Sequence, residues 1–140
     1  MNCSRFSAYI VAALCLTITP ACSISKVFVS QPPIRITAES LTSAYAEDEL
    51  AADKKYKDKP LEVNGIIEQL IVTEKGGRGI LLKGGNTRYL SSVLCSITNE
   101  QGNTFEGLKE GQRVTVAGRC EGFLLGMSVD LANCSIKRSK

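Results

Sequence analysis

The sequence has no histidine and no tryptophan among its 140 residues. Histidine is the commonest general base and a common metal ligand, and tryptophan is a common aromatic anchor, so an enzyme is the less expected class. The net charge is also small, because 17 basic and 14 acidic side chains give +3. This balance excludes a strongly basic nucleic-acid tail and an acidic disordered chain. The length allows one small domain.

Motifs for catalysis are missing as well. The pair Ser91-Ser92 has no histidine partner, and no glycine-rich segment has Walker or dinucleotide-binding spacing. The glycine pairs at 76–77 and 84–85 are typical of turns. Cysteines without histidine or a CxxC pair do not indicate a metal centre. The sequence therefore predicts a protein that is not an enzyme and has no cofactor.

An uncharged apolar run from Ala8 to Ile18 follows the single basic residue Arg5. The run is shorter than the roughly 20 residues needed to cross a bilayer, and it is typical of the apolar region of a signal peptide. Residues 1–21 are therefore predicted to be an export signal. A retained membrane anchor is the alternative for this segment.

A cysteine follows the apolar run directly after Pro20 and Ala21. Small residues before Cys22 resemble the lipobox of bacterial lipoproteins, although Thr19 stands where an aliphatic residue is usual. We predict that Cys22 is acylated and anchors the protein to the cell envelope. By resemblance to Gram-negative lipoproteins, a residue other than aspartate in the next position, here Ser23, implies the outer membrane, facing the periplasm. Ordinary signal cleavage that leaves Cys22 as a free thiol is the alternative.

Residues 22–36 contain Pro32-Pro33 and no clear period, which indicates a flexible tether. Residues 37–59 are predicted to form one helix that Thr37 caps and that ends before Pro60. Its apolar stripe consists of Leu41, Tyr45, Ala52 and Tyr56.

The remaining residues, 60–137, show the alternation and turn signals of a small β-domain. Five strands are predicted at 61–72, 79–83, 88–97, 111–121 and 127–136, with a short helical connection at 99–109. The alternation slips within the last strand, which predicts a bulge near Asn133. This layout predicts an OB-fold, a five-stranded Greek-key barrel with a preceding helix. A five-stranded SH3-like barrel or a fragment of a β-sandwich is the main competing fold.

Several short motifs resemble a known family. They are Ala52-Asp53 followed by Tyr56 and Lys59, then Gly111, Val114-Thr115-Val116 and Gly118, and the ending Leu131-Ala132-Asn133-Cys134. Together they are similar to the bacterial tRNA-anti-like family of OB-fold lipoproteins, over residues 36–136. The resemblance implies an OB-fold preceded by a helix and attached to the cell envelope. It implies no catalytic or binding motif.

Three cysteines remain in the barrel if Cys22 is acylated, so one internal disulfide is the maximum. Hairpin geometry separates Cys120 from Cys134, whereas the third and fifth strands of an OB-fold are parallel neighbours that bring Cys95 near Cys134. A Cys95–Cys134 bond is favoured over Cys120–Cys134. Three buried thiols are the alternative.

The second and third predicted strands are expected to carry the ligand-binding face, flanked by the loops that join strands one to two and four to five. Phe123 is predicted to lie in the loop between strands four and five. Every charged residue between positions 75 and 97 is basic. The candidate ligand-binding residues are Lys75, Arg78, Lys83, Arg88, Tyr89 and Phe123. One hypothesis is a binding or scaffold module for a protein or an anionic envelope ligand. The other is a module for single-stranded nucleic acid, through the same residues.

Overall fold

The computed structural model describes residues 31–85, 92–98, 105–124 and 127–137. In this part of the chain two helices and six strands follow one another. They are β1 (Ile34–Thr37), α1 (Ala38–Glu47), α2 (Glu49–Tyr56), β2 (Pro60–Val72), β3 (Arg78–Lys83), β4 (Ser92–Ile97), β5 (Arg113–Leu124) and β6 (Ser128–Lys137).

Strands β2 to β6 close a five-stranded barrel. The long strand β2 pairs antiparallel with β5 through its first half and with β3 through its second half. Strand β4 then pairs antiparallel with β3 and parallel with β6, and β6 returns antiparallel to β5. This is the OB-fold topology, and the predicted fold is confirmed. The barrel encloses a buried aliphatic core that includes Leu61, Val63, Ile67, Ile80, Leu82, Val93, Val116, Val129 and Leu131.

The first strand lies where a tether is predicted. Residues 34–36 join Thr37 in β1, which pairs parallel with β2 from Ile34 opposite Leu61 to Thr37 opposite Asn64. Ile34 and Ile36 are half-buried and pack against the core, while Arg35 between them is exposed. The tether prediction is therefore wrong for residues 34–36. The added strand also covers an edge of β2 that would otherwise be unpaired.

The predicted single helix is interrupted at Asp48. The side chain of Asp48 accepts a hydrogen bond from the backbone N–H of Ala51 at 3.0 Å, which caps α2. With φ −154° and ψ 98°, Asp48 is extended and cannot continue α1. The predicted stripe is nevertheless buried, from Leu41 in α1 to Tyr56 in α2.

Tyr45 joins the two helices to the barrel. Its hydroxyl donates to Asp53 Oδ1 at 3.0 Å and lies 3.5 Å from the Cys120 sulfur. Burial is the main cause that raises the pKa of both the Tyr45 hydroxyl and the Cys120 thiol above their usual ranges. Both groups therefore stay protonated at neutral pH, and Cys120 is a packed thiol and not an activated nucleophile.

Two irregularities shape β5 and β6. Asn133 has a φ of 53°, and Asn133 with Cys134 opposes Gly118 alone, so the structure contains the predicted bulge. A second bulge at Glu121 reverses which side chains of β5 point inward. As a result, Phe123 is paired with Val129 and packs against the core.

A disulfide joins β4 to β6. The sulfurs of Cys95 and Cys134 are 2.04 Å apart, and both residues are fully buried. The parallel pairing of β4 with β6 brings Ile97 opposite Cys134, which sets the two cysteines close together. The third barrel cysteine, Cys120, is a buried free thiol.

The connection before β5 is described only in part. Most of the predicted helical segment, residues 99–104, lies outside the described residues. Phe105 and Leu108 are partly buried and pack against the core. These two side chains, which the sequence pattern predicts to face inward, therefore extend the core of the barrel.

Candidate functional site

The predicted basic face is divided in the structure. Arg78 begins β3 and Lys83 ends it, so they are about 17 Å apart and their side chains leave opposite faces of the strand. The Arg78 guanidinium lies 5.7 Å from the centre of the Phe105 ring, at one end of the barrel. Lys75 is exposed in the turn between β2 and β3. These three cations do not form one surface.

The two aromatic candidates do not complete such a face either. Phe123 was predicted to lie in a loop, and this placement is wrong because the Glu121 bulge directs its ring toward the core. Arg88 and Tyr89 lie outside the described residues. Their role in binding stays a prediction.

The outer face of β2, β3 and β4 is aliphatic where the structure describes it. Gly79 is at its centre, and a Cβ there would lie 3.7 Å from both Ile71 Cβ and Leu94 Cδ1. Leu81, two residues further along β3, has the same orientation and is half-buried. This surface has the character of a packing surface and not of a phosphate-binding one.

The cationic and hydrogen-bonding groups gather instead on the outer face of β1, β2 and β5. Two adjoining cavities, of about 420 and 60 Å³, share Thr37 and Asn64 as lining residues. The surface that they form is called the polar groove, and its polar residues are Arg35, Thr37, Glu39, Glu62, Asn64, Lys83, Arg113 and Thr115. Of the predicted candidates that the structure describes, Lys83 alone lines it.

Asn64 organises the centre of the polar groove. Its amide nitrogen donates to Thr115 Oγ1 at 2.9 Å, and its oxygen accepts from Arg113 Nη1 at 3.0 Å. The strand register causes this contact, because Asn64 is opposite Thr115 and Arg113, two residues from Thr115 along β5, leaves the same face of that strand. Arg113 is exposed and bound through a neutral amide oxygen, so its charge remains available to an anionic ligand.

Glu62 holds the other end of the polar groove. Its carboxylate accepts from Arg35 Nε at 3.1 Å and from Lys137 Nζ, and its own side chain is only 9% exposed. The hydrogen bond from Lys137 is the main cause that lowers the pKa of Glu62 below its usual range, and the charge of Arg35 acts in the same direction. Two cations on one carboxylate leave a positive excess at this end.

This ion-pair cluster predicts a pH dependence of stability. Because the pKa of Glu62 is lower in the folded state, its contribution is complete above the usual glutamate pKa of about 4.3 and is lost as the pH falls through the folded value. We expect Glu62→Gln to be less stable than the wild type at pH 7, with a difference that shrinks in acid. Thermal melts between pH 7 and pH 3 measure this difference.

Glu68, an exposed carboxylate on the same strand, provides the control. Glu68→Gln should keep the wild-type pH profile. A Glu62→Gln profile parallel to the wild type down to the lowest pH would contradict the role of Glu62.

The sequence did not reveal the polar groove because its residues come from distant segments. Arg35 and Arg113 are ordinary exposed cations in the sequence, and only the pairing of β1 and β5 with β2 brings them together. The one available signal was the polar alternation of Glu62 and Asn64 within β2. That alternation is also typical of any half-exposed strand.

The described segments show neither a metal centre nor a membrane-spanning helix. No group of three or more cysteine, aspartate or glutamate side chains there is placed to hold a metal ion. Within the same residues, no helix has the length and apolar character needed to cross a membrane.

The comparisons with known proteins agree with the fold. The sequence profile of the tRNA_anti-like family matches residues 7–136. This chain belongs to the tRNA_anti-like family. Both helices and all six strands lie within the matched residues, except for Lys137 at the end of β6. No curated protein matches the chain.

A solved structure is similar to this tRNA_anti-like chain. It comes from Klebsiella pneumoniae subsp. pneumoniae and is described as a "putative nucleic acid-binding lipoprotein". The two share 14% sequence identity with a TM-score of 0.59, covering 74% of this chain and 92% of the Klebsiella chain. At this identity the likeness concerns the fold.

Proposed function

We propose that this protein is a non-catalytic OB-fold binding module of the cell envelope, and that its polar groove holds an anionic group of a protein or envelope component. One observation carries the proposal. Arg35 lines one of two adjoining cavities, Lys83 and Arg113 line the other, and the two cavities share Thr37 and Asn64. Guanidinium groups bind carboxylates and phosphates in bidentate geometry, and Asn64 supplies a neutral hydrogen-bonding partner between them.

Attachment to the envelope is part of the same proposal. The apolar run before Cys22 supports export and acylation, and the Klebsiella protein of the same fold is described as a lipoprotein. The Cys95–Cys134 disulfide also favours an oxidising compartment such as the periplasm.

Single-stranded nucleic acid is a second candidate ligand, because the description of the Klebsiella protein names nucleic acid and the polar groove is cationic. Nonspecific binding of single strands usually combines a basic track with aromatic rings that stack on bases. The described outer face of β2, β3 and β4 presents Ile71, Leu81 and Leu94 in place of such rings. This arrangement favours a compact anionic group over an extended strand.

Titration of Arg113→Gln with two anionic probes tests the proposal. We expect a short oligoglutamate peptide to bind the wild type, and to bind the variant with roughly tenfold lower affinity. The reason is that a charge-assisted hydrogen bond contributes about 1.5–3 kcal/mol. Isothermal titration calorimetry at low salt provides the affinities. Lys75→Gln, which removes a cation outside the polar groove, is the matched control and should bind as the wild type does.

The second probe is a labelled single-stranded oligonucleotide. Affinity that falls steeply with salt and exceeds that of the peptide would favour the nucleic-acid candidate. Equal affinities of the Arg113→Gln and Lys75→Gln variants for both probes would show that the polar groove is not the binding site.

A further inference from the structure

Strand β1 is the edge strand of the sheet. It lies at the end of the strand order, and among the described strands it pairs with β2 alone. The backbone groups on its other side are therefore open to pairing with an added strand. Pro32 and Pro33, directly before β1, are exposed and have no N–H to donate. The open edge is therefore confined to residues 34–37.

The inward-facing side chains of β1 are incompletely covered. Ile34 and Ile36 are half-buried, whereas Leu61 and Val63, their partners on β2, have 0% exposure. The difference follows from position, because this part of β2 has a strand on each side and β1 has one. The side chains of an added strand that lie opposite Ile34 and Ile36 would cover their open side.

The outward-facing side chains of β1 belong to the polar groove. Arg35 and Thr37 both line it and are exposed. The Nε atom of Arg35 donates to Glu62 at 3.1 Å, yet the Arg35 side chain is 85% exposed. A guanidinium has five N–H donors, so the remaining donors of Arg35 are accessible to a second carboxylate. A residue opposite Arg35 on an added strand would lie on this same face.

The charge around this edge is positive on balance. Its cations are Arg35, Lys83, Arg113 and Lys137, and its carboxylates are Glu39 and Glu62. Glu62 is already paired with Arg35 and Lys137. Glu39 lines the smaller cavity, which Arg35 does not line. The position beside Arg35 on an added strand therefore favours a carboxylate.

We propose that β1 binds an extended segment of a partner protein, which adds a strand to the open edge. The segment carries a carboxylate between two aliphatic residues, because the carboxylate lies beside Arg35 and its two neighbours lie beside Ile34 and Ile36. Main-chain hydrogen bonds supply the affinity, and the alternating side chains supply the specificity. The inference rests on the proposed function in one respect, since Arg35 belongs to the polar groove.

A capped pentapeptide of the sequence Thr-Val-Glu-Val-Thr is the probe. It is titrated into the isotope-labelled full chain and followed by nuclear magnetic resonance. We expect shifts of the backbone amides of residues 34–37, and slower hydrogen exchange of those amides that point to the open edge. Binding that leaves these amides unchanged would overturn the proposal. Protection of the same amides before the peptide is added would also overturn it, because another strand would then occupy the edge.

Backbone methylation of the peptide separates strand addition from binding of a carboxylate alone. Alternate N–H groups of an added strand point toward β1, so methylation of the two valines and methylation of the glutamate should differ in effect. We expect one of these two peptides to bind about three- to tenfold more weakly, and the other to bind as the unmethylated peptide does. Equal affinities of the two methylated peptides would refute strand addition.

Arg35→Gln tests the preference for a carboxylate. The wild type should bind the peptide about two- to fivefold more tightly than a peptide with glutamine in place of glutamate. The Arg35→Gln variant should bind the two peptides equally. Lys137 still pairs with Glu62 in this variant, and an unchanged thermal melt would show that it is folded. Lys75→Gln, the matched control, should keep the preference, and an Arg35→Gln variant that also kept it would overturn the role of Arg35.

Arg113→Gln separates this inference from the proposed function. Residues 61–64 of β2 pair with both β1 and β5, so Arg113 lies across β2 from the open edge. The variant should bind the pentapeptide as the wild type does. Oligoglutamate binding that depends on Arg113, together with equal affinities of the two methylated peptides, would support the groove and overturn strand addition. Unequal affinities of the methylated peptides, with oligoglutamate binding independent of Arg113, would support strand addition and overturn the groove.

Discussion

Replacing Cys95 and Cys134 together by alanine should lower the free energy of unfolding by about 4 kcal/mol. The disulfide joins residues separated by 39 positions, and it ties the parallel strands β4 and β6 across the core. In the chain-entropy description, a crosslink over a loop of this length stabilises mainly by restricting the unfolded chain. Urea denaturation of the oxidised wild type and the double variant measures the difference.

Reduction of the wild type provides a second route to the same quantity. Dithiothreitol should destabilise the wild type by a similar amount and should leave the double alanine variant unaffected. Cys120→Ala is the control, because it removes the buried free thiol and should remain sensitive to reductant. A double variant as stable as the oxidised wild type would contradict the stabilising role of the disulfide.

The barrel could be predicted from the sequence because its strands obey simple periodicity. In β3, Ile80 and Leu82 alternate with residues that face outward, and a glycine-containing turn precedes the strand. The bulge at Asn133 could be predicted for the same reason, since Leu131 and Cys134 are both buried but differ in parity. A slip in parity between two apolar positions has few structural explanations other than a bulge.

Other elements left a weaker signal. Strand β1 has four residues and only two apolar positions, Ile34 and Ile36, which is too short for periodicity to separate it from a tether. The bulge at Glu121 reverses the orientation of Phe123, and Cys120 and Phe123 differ in parity as Leu131 and Cys134 do, but Gly122 between them is also typical of a turn. Phe123 was therefore assigned to a loop.

The binding surface was the least predictable feature, because proximity in sequence was taken for proximity in space. Arg78 and Lys83 belong to one strand and point to opposite faces of it. Arg35 and Arg113 are far apart in the chain and line one groove, because both of their strands pair with β2. The pairing of strands determines such a surface, and the polar positions of one strand do not indicate which residues of its neighbours lie beside them.

Gly118→Ala should destabilise the protein by about 1–3 kcal/mol, the usual cost of overpacking a core. A Cβ at this position would lie 2.8 Å from the Cys134 sulfur and 3.0 Å from the Ala132 carbonyl oxygen. The sulfur cannot move away freely, because it is bonded to Cys95. The Asn133 bulge directs this part of β6 toward Gly118, so glycine is required for the bulge and the disulfide to coexist. Thermal and urea unfolding measure the loss.

Gly79→Ala is the matched control, since it is also a glycine within a barrel strand. A Cβ there would make only ordinary contacts, the nearest at 3.4 Å from the Cys95 carbonyl oxygen, so its stability should change little or rise by a few tenths of a kcal/mol through the unfolded state. A double-mutant cycle identifies the cause, because Gly118→Ala should cost markedly less once Cys95 and Cys134 are alanine. An unchanged cost in that background would assign the strain to the Ala132 carbonyl and refute the coupling between Gly118 and the disulfide.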